Sequence, residues 1–128
     1  DRNHLASNLD LWPTLAALLE TPVPPGLPGL NLTDAKAVGK RTRLYGEQYA
    51  HNIADVDAPA RSLQHRWMID GWWKLIVPDP RQLPAARPEL YDLRRDPWEK
   101  ADLAAEQTRR VKQLGQRLDT WWTPGYGP

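Results

Sequence analysis

The stretch "HRWMIDGWWKLIV", residues 65–77, constrains the fold more than any other part of the chain. Asp70-Gly71 stands between two aromatic and β-branched runs. This is the pattern of a β-hairpin closed by a two-residue type I′ turn, whose central residues both need positive φ. With that pair as the turn, Ile69 faces Trp72 across the hairpin. Met68, Trp73, Leu75 and Val77 then share one face, and Trp67, Ile69, Trp72, Lys74 and Ile76 the other, because side chains alternate along a strand. Both faces are largely apolar. One is expected to pack on a helix of this chain and the other against a second body, with Lys74 laying its stem on the Trp67 ring.

The flanking segments supply the rest of a small sheet. "RTRLYGEQYAH" alternates loosely from Arg41 and reads as a strand, residues 52–61 as a loop, and "ELYDL" as a further strand. "DPWE" has the form of a capping box, with Asp96 as N-cap, Pro97 at the first helical position and Glu99 reaching back, so one helical turn is expected there. A longer helix follows from about Leu103. It puts Val111, Leu114, Leu118 and Trp121 or Trp122 on one face, keeps Arg109, Arg110, Lys112 and Arg117 mostly off it, and is slightly weakened by Gly115. "TPGYGP" ends the chain as a tail.

At the other end, "SNLDLWPTLAALLE" reads as a helix with Asp10 as N-cap and Pro13 in the first turn, where a missing N–H costs nothing. Leu11, Leu15, Leu18 and Leu19 fall on one side. So short a helix cannot bury that side alone and needs a partner, within the chain or beyond it. "TPVPPGLPGLNL" breaks the helix and reads as a linker. The expected architecture is α+β: a leading helix and linker over residues 1–32, then over 33–128 three or four antiparallel strands covered by a C-terminal helix.

Bulk properties exclude several classes of function. Seventeen Lys and Arg against sixteen Asp and Glu leave a net charge of +1, which points to neither nucleic acid nor an acidic membrane. The absence of cysteine rules out disulfides, thiolate metal sites and a cysteine nucleophile. The longest apolar run is far below a membrane span. Asp1 is neither an initiating Met nor the start of a signal-peptide pattern, so the chain is expected to be processed or cut from something longer.

Few residues suggest chemistry. Of the three histidines, His51 is the candidate, because it sits beside Glu47 and Asn52 where a strand enters a loop, and loops on rigid scaffolds carry functional groups. Asp55 and Asp57 lack the glycine turn and distal Glu of a calcium hand. Ser7 and Ser62 lie in no G-x-S-x-G elbow, and no phosphate-cradling glycine loop occurs. Trp67, Trp72 and Trp73 suit either a hydrophobic core or a stacking surface for sugar rings, which leaves a stand-alone carbohydrate-binding module as an alternative reading.

The quoted segments also resemble a family. "NLDLWPTLAALLETPVPPGLPGLNL" is similar to the sulfatase stretch in which an Asp-Leu-x-Pro-Thr-Leu helix leads through a proline-containing connector to a Gly-x-x-Leu segment. "YGEQYAH", "RSLQHRWMIDGWWKLI" and "ELYDLRRDPWEKADLA" resemble, in the same order, the C-terminal strands and strand-to-helix passage of secreted bacterial sulfatases. The resemblance implies a parent sulfatase of the alkaline-phosphatase superfamily, periplasmic or extracellular, whose N-terminal catalytic domain carries a formylglycine nucleophile and a divalent metal, usually calcium. It implies a four-stranded sheet with a helix for the smaller C-terminal part, and sulfated saccharides or aryl sulfates as substrates. Phosphodiesterases and phosphoglycerol transferases of the same superfamily share that region. Formylglycine arises from a C/S-x-P-x-R motif, which this chain lacks, so no catalytic or metal residue carries over. The expected contribution is a docking surface for the catalytic domain and one wall of the substrate cleft, with His51 and Glu47 as the substrate-binding candidates. Separated from that domain, the chain is expected to be inactive and to self-associate through its orphaned apolar faces.

Overall fold

Four strands follow one another as an antiparallel meander: β1 (Arg43–Tyr49), β2 (Leu63–Asp70), β3 (Trp73–Pro78) and β4 (Glu89–Asp92), in sheet order β1-β2-β3-β4. The computed structural model describes residues 3–52 and 54–125; Asp1, Arg2, Ile53 and the last three residues of the expected tail lie outside it. Three helices complete the α+β fold: α1 (Leu11–Leu18), α2 (Ala35–Lys40) and α3 (Thr108–Trp121). The chain divides into two compact units, one up to Leu44 and one from Tyr45 onward.

In the second unit, β2 and β3 form the expected hairpin with the expected faces but a different turn. Asp70 pairs with Trp73, Ile69 with Lys74 and Met68 with Leu75, so the turn residues are Gly71 and Trp72. Only Gly71 has positive φ, +60°, which is the type II′ pattern rather than type I′. The shift from the expected pairing is two residues, and a slip of two leaves every paired side chain on its original face, while Trp72, expected on the Trp67 face, lies in the turn. Met68, Leu75 and Leu90 are fully buried against Leu114 and Leu118 of α3, with Tyr45, Trp73, Val77, Ala104 and Val111 packed around them. That arrangement follows from the i, i+4 spacing of Leu114 and Leu118 meeting the alternation of the strands.

The expected helical turn at "DPWE" does not form. Asp96 to Glu99 make a tight turn closed by the Glu99 N–H on the Asp96 carbonyl (3.2 Å), and Glu99 has φ +54°. Its side chain does not reach back to Asp96; it takes Lys74 instead. The last helix starts at Thr108 rather than near Leu103, because the Leu103 N–H bonds the Leu90 carbonyl (2.8 Å) and continues along the outer edge of β4.

In the first unit, Ser7 rather than Asp10 caps the helical segment. A capping box joins Ser7 and Asp10 around a 3-10 turn, Asn8–Asp10, which runs into α1. Asp10 makes no side-chain cap to α1 because its carboxylate is engaged elsewhere. Completely buried, it accepts the Ser7 N–H (2.7 Å), the Leu30 N–H (2.8 Å) and both Nη groups of Arg41 (2.5 and 2.7 Å). Thr14 Oγ1 accepts the Leu32 N–H (2.9 Å), so two side chains of one helix end hold the connector. A Schellman motif ends α1, with Thr21 N–H on the Ala16 carbonyl and Glu20 N–H on Ala17, and it places Glu20 at φ +52° where glycine is usual. Short helix α2, absent from the sequence expectation, is capped by Asp34, whose Oδ1 accepts the amides of Lys36 and Ala37 (3.0 Å each).

Candidate functional site

The sheet face turned away from α3 carries a group of polar side chains that the strands hold in fixed positions. Lys74 and Tyr91 are cross-strand partners, as are Ile76 and Glu89. Lys74 Nζ donates to both carboxylate oxygens of Glu99 at 2.8 Å, and the Tyr91 hydroxyl donates to Glu89 at 2.5 Å. That bond first, and burial second, push the Tyr91 phenol well above its ordinary range. Asp102 closes the group, its Oδ1 accepting the Leu90 N–H (3.0 Å). Trp67 lies across Gly46 of β1, where a Cβ would stand 2.4 Å from the ring, and Lys74 Nζ sits 5.9 Å from the Trp67 ring centre, as expected of its stem.

This arrangement binds its own charges rather than displaying them. A lysine, a tyrosine and three carboxylates are satisfied by one another or by backbone amides, so the face offers structure more than reactivity. The tip of the β2–β3 hairpin is different. The Leu93 N–H bonds the Trp72 carbonyl (2.8 Å), Arg94 stands 5.8 Å from the Trp72 ring centre, and the following turn exposes Trp98 to 79%. Sequence reasoning missed Trp98, which its position in an apparent capping box concealed.

The residues singled out from sequence lie elsewhere. Glu47 is exposed on β1 and His51 is exposed in the bend beyond its end. The nearby Tyr49 phenol is raised above its usual range by burial first and by the Glu47 charge second. Asp55 is used within its loop, Oδ1 accepting the Asp57 N–H (3.0 Å) and Oδ2 the Arg61 guanidinium (3.0 Å). Trp67, Trp72 and Trp73 do not form one surface. Trp73 points to the α3 side beneath the Arg110 guanidinium, 4.1 Å from its ring centre, while Trp67 covers Gly46 on the opposite face. Among the described residues no group of three or more His, Asp or Glu is placed to hold a metal ion, and no helix is long and apolar enough to cross a membrane.

Comparison with known proteins fixes the fold. No protein-family model matches the chain, and no curated protein does. Solved structures do match. A protein designated "4S-sulf", from a Bacteroides thetaiotaomicron locus for the metabolism of multiple glycosaminoglycans, aligns over 91% of this chain and 26% of its own, with TM-score 0.64 and 21% identity. A protein solved with its substrate D-glucosamine-2-N,6-O-disulfate aligns over 90% of this chain and 24% of its own, with TM-score 0.53 and 20% identity. The phosphonate monoester hydrolase of Agrobacterium radiobacter aligns over 88% and 23%, with TM-score 0.53 and 24% identity. The chain thus spans about a quarter of the length of the solved chains it matches. Its α+β fold is one found as a segment of sulfatases and of a phosphonate monoester hydrolase.

Proposed function

We propose that the chain serves as the noncatalytic C-terminal part of a hydrolase of sulfate esters, acting on sulfated saccharides or aryl sulfates in the periplasm or outside the cell. The observation that carries this reading is the alignment of nine-tenths of the chain with one quarter of the 4S-sulf protein, together with the order of motifs in the sequence. The exposed leucines of α1 support it, since Leu11, Leu15, Leu18 and Leu19 offer an apolar side suited to packing on a catalytic domain. The residues present do not fit a formylglycine or a calcium ion: there is no C/S-x-P-x-R motif and, among the described residues, no donor cluster. Both groups would belong to the catalytic domain, and nucleophilic attack on sulfur with them. In this chain Glu47 and His51 would form part of one cleft wall, holding substrate by hydrogen bonds rather than transferring a proton.

A second reading keeps the fold and changes the ester. The phosphonate monoester hydrolase shares the same segment, so the chain would equally suit a phosphoryl-transfer relative. Two measurements separate the cases. The reading frame upstream of Asp1 is expected to contain C/S-x-P-x-R; a Ser or Thr nucleophile outside that motif would move the case to phosphorus. In an aryl sulfate assay, the 128-residue chain is expected to release no sulfate at any metal concentration while the whole translated product does. Turnover by the chain alone would refute a scaffold role.

A further inference from the structure

The segment from Asp92 to Ala101 spends its carboxylates inward and leaves its cations and one large ring outward. Asp92 Oδ1 accepts the Arg94 N–H (3.1 Å), Asp96 Oδ2 accepts the N–H groups of Lys100 (2.7 Å) and Ala101 (2.8 Å), and Glu99 takes Lys74 through both oxygens. Arg94 and Lys100 are exposed, and the Arg95 side chain is 88% exposed, with its nearest carboxylate oxygen on Asp92 3.9 Å away, beyond hydrogen-bond reach. Between them in sequence lies Trp98, exposed to 79%, while the Arg94 guanidinium stands 5.8 Å from the Trp72 ring centre.

The backbone that carries the ring is held in place. Pro97 fixes the backbone just before it, Asp96 ties down the two amides after the turn, and Glu99 stays at φ +54°, a region that costs a side-chain-bearing residue, because the Lys74 ion pair retains it. A solvent-facing indole on a fixed backbone has only its two side-chain torsions left to order when something stacks on it. Indole faces take the C–H side of a sugar ring, and arginine forks match the oxygens of a tetrahedral oxyanion.

We propose that Trp98 is a stacking residue for a sugar ring of a sulfated saccharide, with Arg94, Arg95 and Lys100 receiving its sulfate oxygens. Stacking and the need for an anion follow from the turn itself; the choice of sulfate over carboxylate rests on the function proposed above. The site binds without turnover.

The test is calorimetric titration of the 128-residue chain with dextran sulfate, neutral dextran and the carboxylated polysaccharide alginate. Dextran sulfate is expected to bind, neutral dextran to give no heat, and alginate to bind more weakly. Trp98→Ala, which removes only an exposed ring, is expected to keep its thermal midpoint and to weaken dextran sulfate binding at least ~10-fold. The double variant Arg94→Ala/Arg95→Ala is expected to flatten the dependence of binding on salt. Unchanged affinity in Trp98→Ala overturns the proposal. So does a flat titration, which would assign the ring to a protein surface, and alginate binding more tightly than dextran sulfate overturns the choice of anion. None of these outcomes involves sulfate release, so they leave the hydrolase reading to its own test.

Discussion

Asp10 is the most heavily used side chain of the first unit, and its chemistry sets an acid limit on that unit. The Arg41 bond, assisted by the Leu30 and Ser7 amides and opposed by burial, lowers its carboxyl from the usual 3.8 to about 2. A carboxyl lowered in the fold stabilises the fold where it is ionised in both states. The contribution is therefore complete above the ordinary carboxyl range and is lost as pH falls toward 2. Its size is about 2 kcal/mol. Asp10→Asn should lower stability at pH 6 by about 2–4 kcal/mol, since it strands Arg41, and the gap from wild type in urea unfolding should close as pH approaches 2. A gap that stayed constant with pH would refute this account. From sequence Asp10 looked like an N-cap because caps are local. Its decisive partners lie 20 and 31 residues away, and no local pattern announces them.

Among the elements, the hairpin separates what a period can reveal from what it cannot. Alternation assigned Met68, Trp73, Leu75 and Val77 to the correct face, and the i, i+4 leucines of α3 were equally visible. The turn was not, because Gly71 serves equally at the second position of a type I′ turn and at the first of a type II′ turn. Asp70 stays in the ladder and pairs with Arg117 of α3. The "DPWE" turn did not form a capping box, and Glu99 pairs with Lys74 instead. Helix α2 was legible in principle from Asp34 followed by Ala-Lys-Ala, but the prolines before it dominated the reading. Contact between β1 and β2 depends on the lack of a side chain at Gly46. Gly46→Ala would drive a methyl to 2.4 Å from the Trp67 ring and should cost about 1–3 kcal/mol in thermal unfolding. A loss below about 0.5 kcal/mol would mean that the ring swings aside freely.

For the molecule as a whole, the apolar side of α1 is expected to govern behaviour in solution. Leu11, Leu15, Leu18 and Leu19 are 57%, 52%, 63% and 74% exposed, and Trp12 beside them is 55% exposed. With a net charge of only +1 there is little repulsion to keep copies apart. The weight-average mass in sedimentation should therefore rise with concentration, and Leu15→Glu/Leu18→Glu should return the chain to a monomer without altering its circular dichroism. A strictly monomeric wild type at high concentration would contradict this. The candidate site was less readable than the fold at this scale. Glu47 and His51 were marked by their place at a strand end, whereas Trp98 became visible only once the turn had been seen to use up its own carboxylates.

The connector after α1 has the composition of slack, yet half of it is in register with the helix. Leu30 and Leu32 are held by Asp10 and Thr14, and Gly29 lies so close to Leu9 that a Cβ would come within 2.1 Å of its carbonyl oxygen. Residues 22–28 are exposed. Length can drift in that first half, where an added residue simply bulges into water. In the second half one insertion would carry at least one clasped amide out of reach, so a chain of this kind can grow before Gly29 and hardly at all between there and Leu32.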